Sequence, residues 1–341
     1  MKLVMTLRTR DEADIVDAQI AFHLNAGVDF VVATDHRSAD GTTDVLERYA
    51  RQGHLHLIRE DSAEMHEGDW ATRMSRLAAS EFGADWVIPS DADEFWWPRG
   101  GSLKEVLGSI PERYGIVRAL LRQFVPRPDD ASFFAERMTA RVSMSSPIND
   151  PTSLFRPNLK SIHRGDPKVT LSGGAHTLHD SPFVPMRGWY PVEFLHFPIR
   201  SYEQCERKYR NLQSSLGTRR NAYYEEVHQA LDRGTFHELY DSLVIGDAAL
   251  ERGLADGSLV VDTRLRDALR TLRSSQNGGF SLGGISFPRP TVVDDAAYAV
   301  DVAALGEADV VRMQRRLDEL EQRVAMVETG LFGRIVRRFS R

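Results

Sequence analysis

Two aspartates separated by a single residue, Asp91 and Asp93, have a spacing that could bind a cation. They follow a short apolar run from Trp86, which predicts a buried strand ending at this pair. Carboxylates at positions i and i+2 of a turn can converge, and Mg²⁺ is commonly held by one or two carboxylates together with substrate phosphates. Acidic pairs are common in loops, so a purely structural turn is the alternative for this pair by itself.

A second polar cluster follows the paired glycines Gly173 and Gly174, which allow the backbone to pass close to a ligand. His176, His179 and Asp180 offer side chains that could act as a base at an acceptor hydroxyl. His176 and Asp180 are the candidates for catalysis, although the sequence does not identify the base. Histidines at i and i+3 could also bind a metal, but no cysteine and no third ligand is nearby.

The elements that must position these residues alternate between strand and helix signals over the first hundred residues. Helical patterns lie between the apolar runs, and such alternation predicts an α/β fold with a mostly parallel sheet. Ligands of these sheets bind beyond the carboxyl ends of the strands, which is where the polar clusters fall. The predicted strands are 3–7, 30–33, 55–58 and 86–89.

The pattern changes after residue 115. Strands interrupted by Pro and Gly extend to about residue 200, charged helices to about 274, and a loop or linker covers 278–290. This predicts an α/β catalytic domain over 1–200, a helical region with linker over 201–305, and a tail over 306–341.

Composition excludes some classes of protein. The formal net charge of −6 over 341 residues argues against a general nucleic-acid binder. The single cysteine, Cys205, excludes an intrachain disulfide and fits a reducing compartment. No window approaches the roughly 18 apolar residues of a membrane span. We therefore expect a cytoplasmic protein that can also contact the inner face of the membrane.

The tail carries a heptad pattern. Apolar residues recur at alternating spacings of three and four, which is typical of a coiled coil. Arg316 and Arg323 occupy g positions, and Glu321 and Glu328 occupy e positions, so a parallel pair matches opposite charges and an antiparallel pair matches like charges. We expect a homodimer through 310–331; the alternative is one amphipathic helix packed on its own domain. The heptad residues are Val310, Met313, Leu317, Leu320, Val324, Val327 and Leu331.

The last eleven residues, 331–341, contain four arginines and no acid. Phe332, Ile335, Val336 and Phe339 recur at helical spacing, which predicts an apolar face flanked by cationic ones. This pattern indicates peripheral contact with an anionic membrane. The alternative is that these residues cap the coiled coil or pack on the catalytic domain.

Four ordered motifs over residues 1–200 resemble family 2-like glycosyltransferases of the GT-A fold. Residues 31–44 are similar to the family's second strand and the Ser-x-Asp-Gly-Thr loop after it, and 71–73 to a helix with a nucleotide-contacting arginine. Residues 86–95 resemble an Asp-x-Asp-Glu-Phe form of its metal motif. The segment 192–200 is similar to a strand ending in a metal-binding histidine followed by a basic residue. Thr34-Asp35-His36 departs from the usual Asp-Asp pair.

The resemblance implies roles for individual residues. Asp91, Asp93 and His196 would bind the metal, and imidazole favours Mn²⁺ over Mg²⁺. Asp35 would bind the nucleobase; an aspartate that ends a buried strand also needs hydrogen-bond donors. Asp40 and Gly41 are also explained by a structural turn, and His196 by a core histidine. The residues expected to bind the nucleotide-sugar are Arg8, Asp35, Asp40, Arg73, Asp91, Arg200 and Lys208.

The function predicted from these features is metal-dependent transfer of a sugar from a nucleotide-diphosphate sugar to an acceptor hydroxyl. The family resemblance implies inversion, although the histidine-aromatic motif also occurs in retaining families. The acceptor would be a glycan or a lipid-linked molecule. Two alternatives remain. A sugar-nucleotide nucleotidyltransferase would show a Gly-rich basic loop after the first strand, whereas residues 7–11 lack glycine. A degenerate coiled-coil scaffold is disfavoured because Asp35, Asp91 and Asp93 are all present.

Overall fold

The structure is a computed structural model that describes residues 1–144, 159–179, 181–215, 222–273 and 279–339. Beyond Val324 it describes the backbone alone. Asp180 and the segments between these ranges lie outside the described residues.

The first hundred residues form strands and helices in alternation, as the sequence predicts. Each apolar run becomes a strand, and the amphipathic segments between them become helices. In chain order these elements are β1 (Leu3–Thr9), α1 (Val16–Asn25), β2 (Phe30–His36), α2 (Thr42–Arg51), β3 (Leu55–Glu60), α3 (Glu67–Ser80), β4 (Trp86–Asp91) and β5 (Glu94–Pro98).

The middle of the chain adds short strands and two short helices. They are α4 (Leu103–Gly108), β6 (Tyr114–Gln123), α5 (Phe134–Arg137), β7 (Ala140–Val142), β8 (Leu159–Arg164), β9 (Thr170–Leu171), β10 (Leu178–His179), β11 (Val184–Pro185) and β12 (Val192–His196). A 3₁₀ turn spans Gly173–Ala175.

The rest of the chain is mainly helical. Its elements are α6 (Tyr202–Ser215), α7 (Ala222–Arg233), α8 (Phe236–Leu243), α9 (Asp247–Ala255), β13 (Leu259–Val261), α10 (Arg264–Leu272) and α11 (Val292–Phe339). The predicted domain boundary at 305/306 therefore falls inside α11, which is continuous over 48 residues.

One large sheet organises the molecule, with the order β3-β2-β1-β4-β8-β6-β12-β5 and β11 paired to β6. The pairs β2–β3, β1–β2, β1–β4, β6–β12 and β6–β11 are parallel. β8 and β5 run antiparallel to their neighbours. The expected α/β class, the mostly parallel sheet and the helical C-terminal region are confirmed.

The core lies on both faces of this sheet because successive residues of a strand point to opposite sides. Leu3, Met5 and Leu7 of β1 face the cluster that includes Phe22 of α1, whereas Val4 faces Met74 of α3. β1 is therefore packed between α1 on one face of the sheet and α3 on the other. Within the described residues, none of the helices is both long and apolar enough to cross a bilayer.

The start of α11 is attached to the sheet. Arg99 donates to Asp295 at 2.9 Å, and its guanidinium lies 3.7 Å from the centre of the Tyr298 ring. Arg122 of β6 donates to Asp301. Leu305 is buried against the β6 side chain of Leu120. The first part of this helix thus belongs to the packed body of the protein.

Candidate functional site

Seven strands bring their polar termini to one edge of the sheet. β1, β2, β4, β6 and β12 end there, and the antiparallel strands β5 and β8 begin there. Asp91 closes β4 beside Arg8 of β1, and His196 closes β12 beside Gln123 of β6. Residues separated by more than a hundred positions therefore meet at this edge.

Asp91 lies between two cationic side chains. Arg8 donates from its Nε to Asp91 Oδ1 at 3.0 Å, and Lys160 Nζ lies 2.7 Å from Oδ2. Burial alone would raise the pKa of Asp91, but the charges of Arg8 and Lys160 outweigh it and hold that pKa below its usual value. Arg8 also lies 3.3 Å from Glu67 of α3. Asp91 is therefore a fixed, ionised carboxylate.

Lys160 and Glu94 are functional candidates that the sequence reasoning missed. Lys160 Nζ contacts Glu94 Oε1 at 2.6 Å as well as Asp91, and both side chains are buried. Burial raises the pKa of Glu94, and Lys160 opposes that rise. Glu94 also accepts from the Asp91 backbone N–H at 3.1 Å. The sequence signal was present in Glu94, directly after the aspartate pair, but Lys160 gave none because its strand is antiparallel.

Asp93 forms a second group with residues from two other elements. Lys208 of α6 lies 2.6 Å from Asp93 Oδ2, and His196 Nε2 lies 3.6 Å from the same oxygen. Burial works against ionisation, yet Lys208 holds the pKa of Asp93 well below normal. The other ring nitrogen of His196, Nδ1, lies 2.9 Å from Gln123 Oε1. Because an amide oxygen can only accept, Nδ1 carries the proton and donates it.

This arrangement fits a divalent cation with two protein ligands. His196 Nε2 and Asp93 Oδ2 lie close enough for both side chains to contact one cation. A second hydrogen bond that fixes the tautomer, here from Gln123, is typical of metal-binding histidines. Among the described residues no group of three or more His, Cys, Asp or Glu side chains is arranged to hold a metal. Further ligands would come from substrate phosphates and water.

Asp91 fits this cation less well than Asp93 does. Each oxygen of Asp91 contacts a basic side chain of the sheet, Arg8 or Lys160. Lys208, by contrast, extends from a helix, and its side chain is 30% exposed. A cation at Asp93 would compete with one movable ammonium group. The prediction that Asp91 is a metal ligand stays a prediction.

Asp35 is buried near the end of β2, and its two carboxylate oxygens have different environments. Its Oδ2 accepts from Thr43 Oγ1 at 2.5 Å. Within the part of the chain that the structure describes, Asp35 Oδ1 is buried and has no hydrogen-bond partner. An unpartnered buried carboxylate oxygen is costly, and a donor from a bound molecule would satisfy it. Asp35 therefore has the geometry of a ligand-binding residue.

Asp40 has a different environment. Its Oδ1 accepts from the Thr42 backbone N–H at 3.1 Å and from the Thr42 hydroxyl at 2.6 Å, and Oδ2 accepts from Ala13 N–H at 3.1 Å. Gly41, at φ +99°, supplies the left-handed turn that allows this. Arg207 of α6 lies 3.4 Å from the same carboxylate. Asp40 connects the loops after β1 and β2 to α6, which supports the structural explanation of this motif.

Arg200 is buried within the protein. Its Nε lies 2.6 Å from Asp14 Oδ2, its other nitrogens donate to Glu12 and to the Phe197 carbonyl, and its side chain is 1% exposed. Burial raises the pKa of Glu12 to about 7, although Arg200 and Lys208 oppose that rise. The predicted contact of Arg200 with phosphate stays a prediction, since Lys208 is the more accessible cation.

Arg73 lies at the edge of the sheet, whereas His176 lies near Lys160 and Asp91. Arg73 of α3 donates to Glu60 at 3.1 Å, at the end of the outermost strand β3. His176 Nδ1 lies 3.1 Å from the Leu159 carbonyl and donates to it, which leaves Nε2 as the acceptor. Burial, with the charge of Lys160, lowers the pKa of His176, so the ring is neutral at pH 7. Asp180, the other catalytic candidate, lies outside the described residues.

Comparisons with known proteins give weak likenesses. No protein-family model matches the sequence, and no curated protein matches it significantly. A structure of TarS from S. aureus is 14% identical, with a TM-score of 0.33, over 69% of this chain and 44% of that one. TarS residues 1–349 in complex with UDP-GlcNAc are 14% identical, with a TM-score of 0.35, over 92% of both chains.

A third likeness is to glucosyl-3-phosphoglycerate synthase from Mycobacterium tuberculosis in complex with Mn²⁺, UDP and glucosyl-3-phosphoglycerate. It is 19% identical, with a TM-score of 0.25, over 37% of this chain and 44% of that one. Likenesses at these TM-scores are too weak to support an inference about this chain.

Proposed function

We propose that this protein transfers a sugar from a nucleotide-diphosphate sugar to an acceptor hydroxyl at the Asp91–Asp93 edge of the sheet. The observation that carries the proposal is the arrangement of charged side chains along this edge of the sheet. A buried carboxylate oxygen of Asp35, which has no hydrogen-bond partner among the described residues, lies two strands from a cluster of cations around two ionised aspartates. Two strand spacings are about 10 Å, which a nucleoside diphosphate can span.

The nucleoside would bind at the Asp35 end. A base with an imide or exocyclic N–H group can donate to Asp35 Oδ1, the atom that lacks a partner. The Thr43 hydroxyl already fixes the other oxygen and so orients the carboxylate. Preorganised acceptors of this kind discriminate against ligands without a matching donor.

The diphosphate would bind at the Asp93 end, where negative charge develops on the leaving group. Lys208 is the accessible ammonium group there, and Arg8 and Lys160 add fixed positive charge behind Asp91. Asp93 and His196 would hold a divalent cation, Mn²⁺ or Mg²⁺, which when bound polarises the phosphate oxygens and stabilises the leaving diphosphate. Imidazole ligation favours Mn²⁺.

The base would be a group that is unprotonated at neutral pH. His176 is neutral, its Nδ1 proton is held by the Leu159 carbonyl, and Nε2 can accept the proton of an attacking hydroxyl. Such a base on the acceptor side is what an inverting transfer requires. We infer a glycan or lipid-linked acceptor, which suits an enzyme that contacts a membrane through its basic tail.

A binding screen tests the donor. Purified full-length protein would be melted with UDP, GDP, ADP and CDP, each with and without Mn²⁺. A nucleotide at about 100 Kd should add roughly 2.7 kcal/mol to the free energy of unfolding. Asp35→Asn should lose most of that gain, whereas Asp61→Asn, at an exposed loop acid, should keep it. If no nucleoside diphosphate raises the melting temperature, the proposal is wrong.

Product analysis separates the enzyme classes. Release of UDP or GDP from the corresponding sugar nucleotide supports transfer. Formation of pyrophosphate from a nucleoside triphosphate and a sugar phosphate would instead indicate a nucleotidyltransferase.

A further inference from the structure

An exposed apolar stripe runs along the second part of α11. Val310, Met313, Leu317, Leu320 and Val324 are between 48% and 60% exposed, in contrast to Leu305, which is 1% exposed. Five such side chains in one row on a helix leave a large apolar surface in water. In most proteins an amphipathic helix gains its stability by packing that surface.

The stripe does not face the surface of α11 that contacts the catalytic domain. On an ideal helix its residues lie roughly a quarter-turn around the axis from Tyr298, Asp301 and Leu305. Those three side chains contact Tyr190, Arg122 and Leu120. From Leu305 to Val324 the helix extends about 28 Å further. The stripe is therefore carried away from the body of its own chain.

We propose that a second copy of this chain covers the stripe, and that the two copies form a parallel two-stranded coiled coil over residues 310–331. The spacings between the five residues are 3, 4, 3 and 4, the repeat that keeps one seam facing a partner helix. Val327 and Leu331 continue the same spacing in the sequence.

The flanking charges select the second copy and its direction. In a parallel pair, a g residue of one helix meets the e residue five positions later in the other. Arg316 therefore meets Glu321 of the other copy, and Arg323 meets Glu328, twice each by symmetry. An antiparallel pair would place Arg against Arg and Glu against Glu. Arg316, Glu321 and Arg323 are exposed and available for this pairing.

Sedimentation equilibrium of the full-length protein tests the assembly. We expect a concentration-dependent dimer, and Leu317→Glu combined with Leu320→Glu should give a monomer. Glu319→Arg, at an exposed position off the seam, is the control and should dimerise like the unchanged protein. Nucleotide binding by all three proteins reports that the catalytic domain is folded.

Charge exchange tests the direction. Arg316→Glu with Arg323→Glu, and separately Glu321→Arg with Glu328→Arg, should each weaken self-association roughly tenfold or more, because four favourable contacts become repulsive. Mixing the two variants should restore dimers that contain one chain of each. Undiminished self-association of both variants would overturn the parallel pairing, whatever their preference on mixing, because an antiparallel pair already sets like charges against each other.

Two further outcomes would overturn the proposal as a whole. One is a full-length protein that stays monomeric at tens of micromolar by the same measurement. The other is a monomeric protein that floats with vesicles of anionic phospholipid and is released by Leu317→Glu with Leu320→Glu, which would assign the stripe to a lipid surface instead.

Discussion

The two ends of β12 hold two buried charged groups that differ in how completely they are paired. At its start, Glu193 is 1% exposed and accepts from Arg122 at 2.7 Å and Arg264 at 2.6 Å. Arg122 also pairs with Asp301, and Arg264 with Asp262. At its end, His196 and its neighbour Lys208 are 25% and 30% exposed. The first group is closed to further ligands.

This difference in pairing distinguishes a structural role for the Glu193 group from a proposed ligand-binding role for the Asp93 group. Guanidinium groups form fixed, multidentate contacts, so the Glu193 group is suited to holding α10 and α11 on the sheet. The group at Asp93 contains a flexible ammonium and a partly exposed histidine ring. This less completely paired group, at the carboxyl edge of the strands, is the one at which we propose ligand binding.

The largest effect is expected on stability, at the start of β12, where Glu193 is fully paired. Glu193→Ala leaves Arg122 and Arg264 buried without their central partner, and should lower the free energy of unfolding by about 3–5 kcal/mol. Urea denaturation measures this, and the remaining folded fraction should bind nucleotide as before. Glu112→Ala, at an exposed acid, should change stability by less than about 0.5 kcal/mol. A Glu193 variant as stable as the control would show that the Glu193 group has no structural role.

At the end of β12, near Asp93, substitutions should lower enzymatic activity rather than stability. Asp93→Ala removes the proposed cation ligand and should lower donor turnover by roughly 10²–10³-fold, or about 3–4 kcal/mol in transition-state stabilisation. Steady-state rates at saturating Mn²⁺, with Asp232→Ala as the exposed control, measure this. His196→Ala should raise the Mn²⁺ concentration needed for half-maximal rate, whereas His176→Ala should lower the rate at unchanged Mn²⁺ dependence. Near-normal turnover by Asp93→Ala would mean that Asp93 holds no metal.

A third test measures how stability depends on pH through a buried histidine of the core. His23 of α1 is fully buried, its Nδ1 donates to the Gln19 carbonyl, and Nε2 accepts from the Trp96 backbone N–H. Burial lowers its pKa from 6.5 to about 4, so the folded state binds fewer protons than the unfolded one between these values. The stabilisation is present above pH 6.5 and is lost as pH falls towards 4, by about 3 kcal/mol.

His23→Gln should therefore flatten the decline in unfolding free energy between pH 6.5 and 4. The measurement is urea denaturation at several pH values, with the exposed His56→Gln as control. An equal slope for both variants would show that His23 is not the titrating group.

The smallest effect on turnover is expected from Lys160→Met. Removing this ammonium leaves Asp91 with Arg8 alone and reduces the positive charge near the diphosphate, so kcat should fall roughly tenfold. Lys168→Met removes a charge from an exposed loop and should leave kcat unchanged. If Lys160→Met lowers stability and not kcat, Lys160 has a structural role like that of the Glu193 group and is not part of the candidate site.

The sequence predicted the features that depend on local patterns. Apolar runs predicted the strands of the first hundred residues, and their ends placed Asp35 and Asp91 at one edge. His196, on the later strand β12, was assigned from the family resemblance of residues 192–200. The direction of a strand is set by its neighbours, so Lys160, the second residue of antiparallel β8, could not be placed at that edge. Similarly, Asp40 contacts Arg207 from 167 positions away, and nothing near Asp40 in the chain indicates this.

The attachment of α11 determines where the chain can be shortened. A fragment that stops at residue 291 would leave Arg122 without Asp301 and would uncover the Leu120 side chain. A fragment that stops just after Leu305 retains both contacts and omits the exposed stripe. The packed body of the protein therefore ends in the middle of a single helix, and a fragment that stops just after Leu305 should be more stable than one that stops at residue 291.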